Sequence, residues 1–186
     1  MARARSSGSR PAPHGGDDGR RPAIVLEPFF PEAAEEFAAA ARRSAALHRP
    51  WVHAPTTAGK AAELARTRQG PTSYGYLVRE VGSGTLAGYV AVSNIVHGAF
   101  RSACLGYYAF AGCERRGLMS AGLQAVLKHA RQTLKLHRLE ANIQPGNEAS
   151  LALVRGLGFR CEGCSPRFLK IGGRWRDHER WAILLE

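Results

Sequence analysis

A strand, a glycine turn and an amphipathic helix follow one another between Ala103 and Leu134, and this unit restricts the chain more than any other stretch. Ala103 to Phe110 is apolar and aromatic-rich, as a strand is. Glu114-Arg115-Arg116-Gly117-Leu118-Met119 then turns the chain. From Leu118 onward Met119, Leu123, Val126, Leu127, Ala130 and Leu134 recur three or four apart, which predicts a helix with one apolar face to bury. A glycine turn with bare amides at a helix start can hold phosphate oxygens, helped by roughly half a positive charge at the helix N-terminus. The same six residues also suit a plain strand-to-helix turn with a charged edge, so the rest of the chain has to decide.

The other elements can be read in order. Ala23 to Glu27 reads as a short strand, and Pro31 opens a helix that Pro50-Trp51 ends. In that helix Glu32, Glu35 and Glu36 come early and Arg42, Arg43 and His48 late, as the macrodipole favours. Phe37, Ala41 and Leu47 give it an apolar face. Ala58 to Gln69 predicts a second short helix, closed by Gly70-Pro71. Ser73 to Val81, Thr85 to Ile95 and Phe100 to Phe110 are strand-like and joined by short turns, which predicts an antiparallel meander. After the long helix, Arg138 to Ile143 reads as a strand. Pro145-Gly146-Asn147 then turns into a helix whose inner face is Leu151, Val154 and Leu157, ended by Gly158. Phe159 to Ile171 and Trp175 to Leu185 flank Gly172-Gly173 as a last hairpin. The expected fold is one α/β domain, with a mixed, mostly antiparallel twisted sheet of about seven strands flanked by helices.

Composition narrows the class. The chain's 186 residues suit one domain, and 45% hydrophobic content supplies a core. No apolar run reaches the ~18 residues of a membrane helix. Residues 1–21 read as a flexible basic tail and not as a secretory signal, leaving 22–186 as the domain. The net charge is +11; five arginines against Asp17 and Asp18 put +3 of it in the tail and +8 in the remainder. That balance suits a polyanion such as a phosphorylated cofactor, nucleic acid or the ribosome, or else simple solubility. Aromatic residues do not interleave with basic ones as an RNA-stacking surface requires. Of the four cysteines, Cys161-x-x-Cys164 has no second pair, so no metal or redox site is expected. Reduced thiols fit a cytoplasmic protein.

The element order, with a phosphate-type turn after the fourth strand, resembles the GNAT N-acetyltransferase superfamily over residues 22 to 186. Its turn motif is Gln or Arg, two variable residues, Gly, one variable residue, then Gly or Ala. Here Glu114 and Met119 depart from it, while the binding amides remain. Further fragments are similar to the ribosomal-protein-alanine N-acetyltransferases of RimJ/RimL type. They are Ser93 to Phe100, Leu105-Gly106-Tyr107, His137 to Asn142, Pro145-x-Asn147-x-x-Ser150, Leu157-Gly158-Phe159-x-x-Glu162-Gly163, and Gly173-x-Trp175-Arg176-Asp177-His178.

The resemblance implies acetyl transfer from acetyl-CoA to a primary amine by direct attack in a ternary complex. The acceptor implied first is a protein N-terminus, with a ribosomal protein as the leading candidate. The alternatives are a small amine (amino acid, polyamine, aminoglycoside) or a non-catalytic acyl-CoA-binding or ribosome-associated module. The fourth and fifth strands are expected to splay around the cofactor arm. Leu105, Tyr107, Tyr108 and Phe110 would lie along that arm, and Arg115, Arg116, Gly117, Leu118 and Met119 at the pyrophosphate. Asn142, Asn147 and Ser150 complete the cofactor set. Ser150 matches a hydroxyl that protonates the departing thiolate, though Asn147 could simply cap the helix and Ser150 sit within it. Some relatives carry a glutamate base at the position of Leu169. The remaining base candidates are Glu162, Asp177, His178 and Glu140, or a water chain ending at backbone carbonyls, with Trp175-Arg176-Asp177-His178 also suited to bracing the last hairpin. Trp51, Asn94 and Phe100 are expected at the acceptor mouth, or else as packing residues. A monomer or homodimer is equally compatible.

Overall fold

The computed structural model describes residues 22–186, so the expected tail lies outside the described residues. Seven strands form a single sheet in the order β1-β2-β3-β4-β5-β7-β6. They are β1 (Ile24–Pro28), β2 (Tyr74–Glu80), β3 (Leu86–Val96), β4 (Ser102–Ala109), β5 (Arg138–Ile143), β6 (Arg160–Ile171) and β7 (Arg174–Leu184). Every pairing is antiparallel except β4 with β5, which is parallel. The meander and the closing hairpin are therefore as the turns implied. The parallel pair follows because α4 (Leu118–Gln132) carries the chain across the sheet between β4 and β5.

Helices cover both faces. α1 (Ala34–Arg43), α2 (Ala45–His48) and α3 (Ala58–Arg66) lie on one, where Phe29, Phe37, Ala38, Ala61 and Ala65 pack against Leu77, Tyr89, Ala91 and Phe110. α4 and α5 (Glu148–Gly156) lie on the other, over Val78, Val90, Val92, Leu105, Leu139 and Trp181. Leu118, Leu123 and Val126 are fully buried there, as the helical spacing required, and each contributes roughly 1.5–3 kcal/mol.

One expected helix is broken. The segment from Pro31 to His48 begins as a 3-10 turn (Pro31–Ala33) and divides at Ser44. The buried Ser44 hydroxyl donates to the Ala40 carbonyl at 2.7 Å and accepts the Ala111 amide at 2.8 Å. That second bond ties the helix end to the turn after β4. The hydroxyl competes with the helical ladder and bends the chain where a tertiary partner waits.

The sheet does not stay closed. β4 and β5 pair only over Ser102–Cys104 with Arg138–Glu140. Beyond Cys104 they share no ladder pair, although β4 continues to Ala109 and β5 to Ile143.

Candidate active site

Where β4 and β5 part, a cleft of about 1260 Å³ runs between the two helical layers. Strand alternation sorts its walls. Val90, Val92, Leu105 and Tyr107 share the α4–α5 face, whereas Tyr89, Ala91, Gly106 and Tyr108 share the α1–α3 face. A Cβ built on Gly106 would meet nothing within 4 Å, so the wall is open at that point.

The α4–α5 side ends in the glycine turn. Arg115 (φ 59°) and Gly117 (φ 73°) adopt left-handed conformations, and Gly117 is the N-cap of α4. The first amide of the helix to bond is that of Ala121, to the Gly117 carbonyl at 3.0 Å. The amides of Arg115 to Ser120 donate to no acceptor among the described residues. Amides left free in this way at a helix N-terminus are of the kind that can cradle an anion. The departure at Glu114 is accommodated locally, since its carboxylate accepts the Gly112 amide at 2.7 Å and folds back on its own turn. Arg115 lines the cleft. Arg116 pairs with Glu80 and Leu118 is fully buried, so in both only the main chain faces the cradle.

Tyr107 and Ser150 meet on the same side. The Ser150 hydroxyl donates to Tyr107 Oη at 2.7 Å, and the Tyr107 hydroxyl lies 3.3 Å from the Ser150 carbonyl. Burial pushes the Tyr107 phenol up to about 12, keeping it protonated. Asn147 Oδ1 accepts the Ser150 amide at 3.3 Å, so Asn147 caps α5 while also lining the cleft. Asn142 lines the cleft too, and its Oδ1 is buried without a hydrogen bond among the described residues. Leu105, Tyr108 and Met119 complete the expected wall. Phe110 does not join them. Its side chain is 2% exposed, stacked edge-on against Phe37 at 5.5 Å, and its amide is taken by the Ala87 carbonyl. β4 ends there by turning that ring into the second core.

On the α1–α3 side the structure rearranges the expected acceptor and base residues. Trp51 lines the cleft, its carbonyl held by Gln144 Nε2 at 3.0 Å. Asn94 sits at a β3 bulge with φ 53° and is exposed outside the cleft wall. Phe100 is 62% exposed in the loop before β4 and also stands outside it. Glu162 is on the edge strand, clamped by both Nη atoms of Arg138, which holds its carboxyl below the usual range. Glu140 is bracketed by Arg138 at 2.9 Å and Arg180 at 2.7 Å. Asp177 accepts the Arg167 amide at 2.7 Å, where Arg167 (φ 49°) forms the β6 bulge. Neither Glu162 nor Asp177 lines the cleft: one belongs to an arginine network and the other braces the hairpin. Leu169 does line it, so that position faces the cavity without offering an acid.

His178 is the base candidate that remains in place. It is 3% exposed and lines the cleft. Nδ1 donates to the Arg176 carbonyl at 3.0 Å, which leaves the lone pair on Nε2. Burial lowers its proton affinity below the ordinary histidine value, so the ring is neutral at neutral pH. His48, Arg68 and Tyr89 also line this side and went unrecognised in the sequence. His48 read only as a basic helix end, and no local pattern marks the other two.

Comparison with known proteins gives a consistent picture. The family profile described as "Acetyltransferase (GNAT) domain" matches residues 23–160. The [Ribosomal protein uS5]-alanine N-acetyltransferase of Escherichia coli is 38% identical over 98 residues, 53% of this chain and 50% of that protein. Probable N-acetyltransferase YjcK of Bacillus subtilis is 36% identical over 99 residues, 53% of this chain and 55% of that protein. The chain thus spans about half the length of the curated relatives it matches. Among solved structures, Mycobacterium smegmatis RimJ in complex with CoA-disulfide superposes with a TM-score of 0.80 at 26% identity, covering 87% of this chain and 81% of that one.

Proposed function

The chain belongs to the GNAT acetyltransferase family, and from that premise we propose that it transfers an acetyl group from acetyl-CoA to the α-amino group at a protein N-terminus, a ribosomal protein being the leading acceptor. The observation that carries the reading is the parting of β4 from β5 beside the uncommitted amides of Arg115 to Ser120. A strand-like arm with a diphosphate at its end is complementary to both. The buried, unpaired Asn142 Oδ1 supplies a further acceptor for an amide N–H along such an arm.

Acetyl-CoA supplies the activated acetyl group as a thioester. The amides of the turn and Arg115 hold its phosphates. The α1–α3 side admits the amine, with Trp51 and Tyr108 on the wall. His178 Nε2 takes the proton that the amine sheds, directly or through one water, because the carboxylate candidates are committed elsewhere. On the opposite side the Ser150–Tyr107 pair delivers a proton to the departing sulfur: the Ser150 hydroxyl turns from Tyr107 Oη to the sulfur as donor, and the Tyr107 hydroxyl turns from the Ser150 carbonyl to donate to Ser150 Oγ in its place. Base and acid thus approach from opposite faces of the sheet, as direct transfer between two bound reactants needs.

The wall disfavours a polyamine acceptor. The only carboxylates that line the cleft, among the described residues, are Glu114 and Glu148, and Glu114 is spent on Gly112. The acceptor side offers Arg68 and two neutral histidines instead. Thiol release from acetyl-CoA with Ala- or Ser-initiated peptides tests the proposal. CoA binding without turnover on any amine would replace it with a non-catalytic acyl-CoA-binding module.

A further inference from the structure

Gly75 of β2 has no side chain because two others occupy its place. A Cβ built there would lie 3.0 Å from Arg68 Cβ and 3.0 Å from the Tyr89 hydroxyl oxygen. The arginine stem and the phenol therefore converge over one backbone position on the α1–α3 face. Both line the same cleft as Gly106, Tyr108 and His178. Arg68 is half-buried and pairs with no carboxylate among the described residues. Its Nη1 donates to Ser73 Oγ at 2.5 Å, and the buried Ser73 hydroxyl in turn lies 3.4 Å from the Val92 carbonyl. The guanidinium is thereby braced against β3. Its Nε is buried and makes no hydrogen bond, and neither does the buried Tyr89 hydroxyl.

Such an arrangement is costly for folding alone. The Arg68 Nε and the Tyr89 hydroxyl are buried without a well-formed hydrogen bond, although the guanidinium has Ser73 on Nη1 and stands close enough to Tyr89 to oppose the burial that raises its phenol. Both residues line the cleft and no carboxylate pairs with Arg68 among the described residues, while a guanidinium fork matches a carboxylate in charge, planarity and spacing. We propose that Arg68 and Tyr89, braced by Ser73, form a carboxylate subsite for the acceptor, so that the amine to be acetylated bears a carboxylate close by. The carboxylate comes from an acidic residue next to the N-terminal one, or from a free amino acid. The subsite rests on the acetyl-transfer reading for its role and narrows the acceptor class within it.

The test uses the full chain and two matched acceptor pairs. One pair is Ala-Asp-Ala-Ala amide against Ala-Asn-Ala-Ala amide, and the other is alanine against alaninamide. Thiol release should favour the carboxylate member of one pair by about 10- to 100-fold in kcat/KM, and the pair that does so identifies the source. Arg68→Gln should remove most of that preference, lowering the rate with the carboxylate acceptor far more than with its neutral partner. Tyr89→Phe, which deletes only the unmatched hydroxyl, should give a smaller loss in the same direction, and it decides the matter if Arg68→Gln does not fold by circular dichroism. Equal rates within both pairs, or parallel losses on both members of a pair in the variants, would overturn the subsite. Calorimetry with the same four compounds separates the two readings. Absence of thiol release with all four counts against acetyl transfer, while the subsite then stands or falls on the same discrimination in Kd.

Discussion

Replacing Ser150 by alanine should damage turnover and spare almost everything else. The side chain makes one hydrogen bond, from its hydroxyl to Tyr107 Oη at 2.7 Å. Losing a half-buried hydroxyl bond costs about 1 kcal/mol of stability, which in a domain of this size lowers Tm by about 2–4 °C. The α5 cap survives, because Asn147 Oδ1 takes the main-chain amide of residue 150 and not its hydroxyl. Affinity for acetyl-CoA should change less than about threefold, since the phosphate cradle is main-chain and lies on a different helix. Turnover should fall about 100-fold or more, the ordinary worth of a positioned proton donor, equivalent to about 2.7 kcal/mol of barrier. Stopped thiol-release kinetics give kcat, and titration with CoA gives Kd. Tyr107→Phe should lose less, because Ser150 keeps its proton, and the double variant should lose less than the sum of the two. A Ser150→Ala protein with unchanged kcat, or one whose Kd rises as far as kcat falls, would refute the assignment.

The remaining expectations are briefer. His178→Gln should change the shape of the pH profile. With a free amine as substrate, log kcat/KM rises with slope one as the amine deprotonates, and with slope two below the lowered pKa of His178, under the ordinary 6.5. The variant should keep slope one throughout, whereas Glu162→Gln, which touches only the arginine network, should leave the profile unaltered. Gly117→Ala places a Cβ at φ 73° beside Pro22, and should cost about 1–2 kcal/mol and weaken CoA binding by calorimetry. Stability should decline with acid in a defined window. His48, His129 and His178 have pKa values lowered by burial, so the unfolded chain binds more protons below pH 6.5. Stability is then full above 6.5 and is lost as pH falls through the lowered values, which denaturant midpoints across pH 5 to 7.5 would register.

Much of the fold was legible because its signals are local. The period of Met119, Leu123, Val126 and Ala130 fixes the buried face of α4, and glycine turns separate the strands of the meander. What escaped was decided by partners far away in sequence. Ser44 breaks a helix because Ala111 arrives beside it, 67 residues later. Glu162 looked like a base until β6 folded it onto Arg138, and Asp177 until its hairpin bulged at Arg167. Phe110 alternates correctly with its strand, yet only the packing of Phe37 shows that the strand ends in the core. Most residues proposed for the cofactor line the cleft, whereas of those expected at the acceptor mouth only Trp51 does. Phosphate binding depends on main-chain amides that any sequence but proline retains, while acceptor recognition depends on which side chains converge across the sheet.

The opening between β4 and β5 is itself a consequence of pairing, not of a missing residue. β4 is held on its outer side by β3 from Ser102 to Ala109, and β5 on its outer side by β7 from Arg138 to Ile143. Each strand is therefore stable without the other, and the three parallel pairs at Ser102–Cys104 act as a hinge point for two independently supported half-sheets. Extending the ladder would gain only a few hydrogen bonds at about 1 kcal/mol each. It would also have to overcome two cores that fix the half-sheets at their present splay, with Leu118 and Leu123 on one face and Phe29 and Phe37 on the other. The facing backbone edges of β4 and β5 beyond Cys104 and Glu140 are thus left without ladder partners in each other, as the proposed added-strand site requires. It follows that the cleft should tolerate substitution of its wall far better than disruption of either core. A Leu123→Ala variant, about 2–5 kcal/mol less stable, should therefore lose CoA binding through loss of fold, whereas Leu169→Val on the exposed wall should retain it.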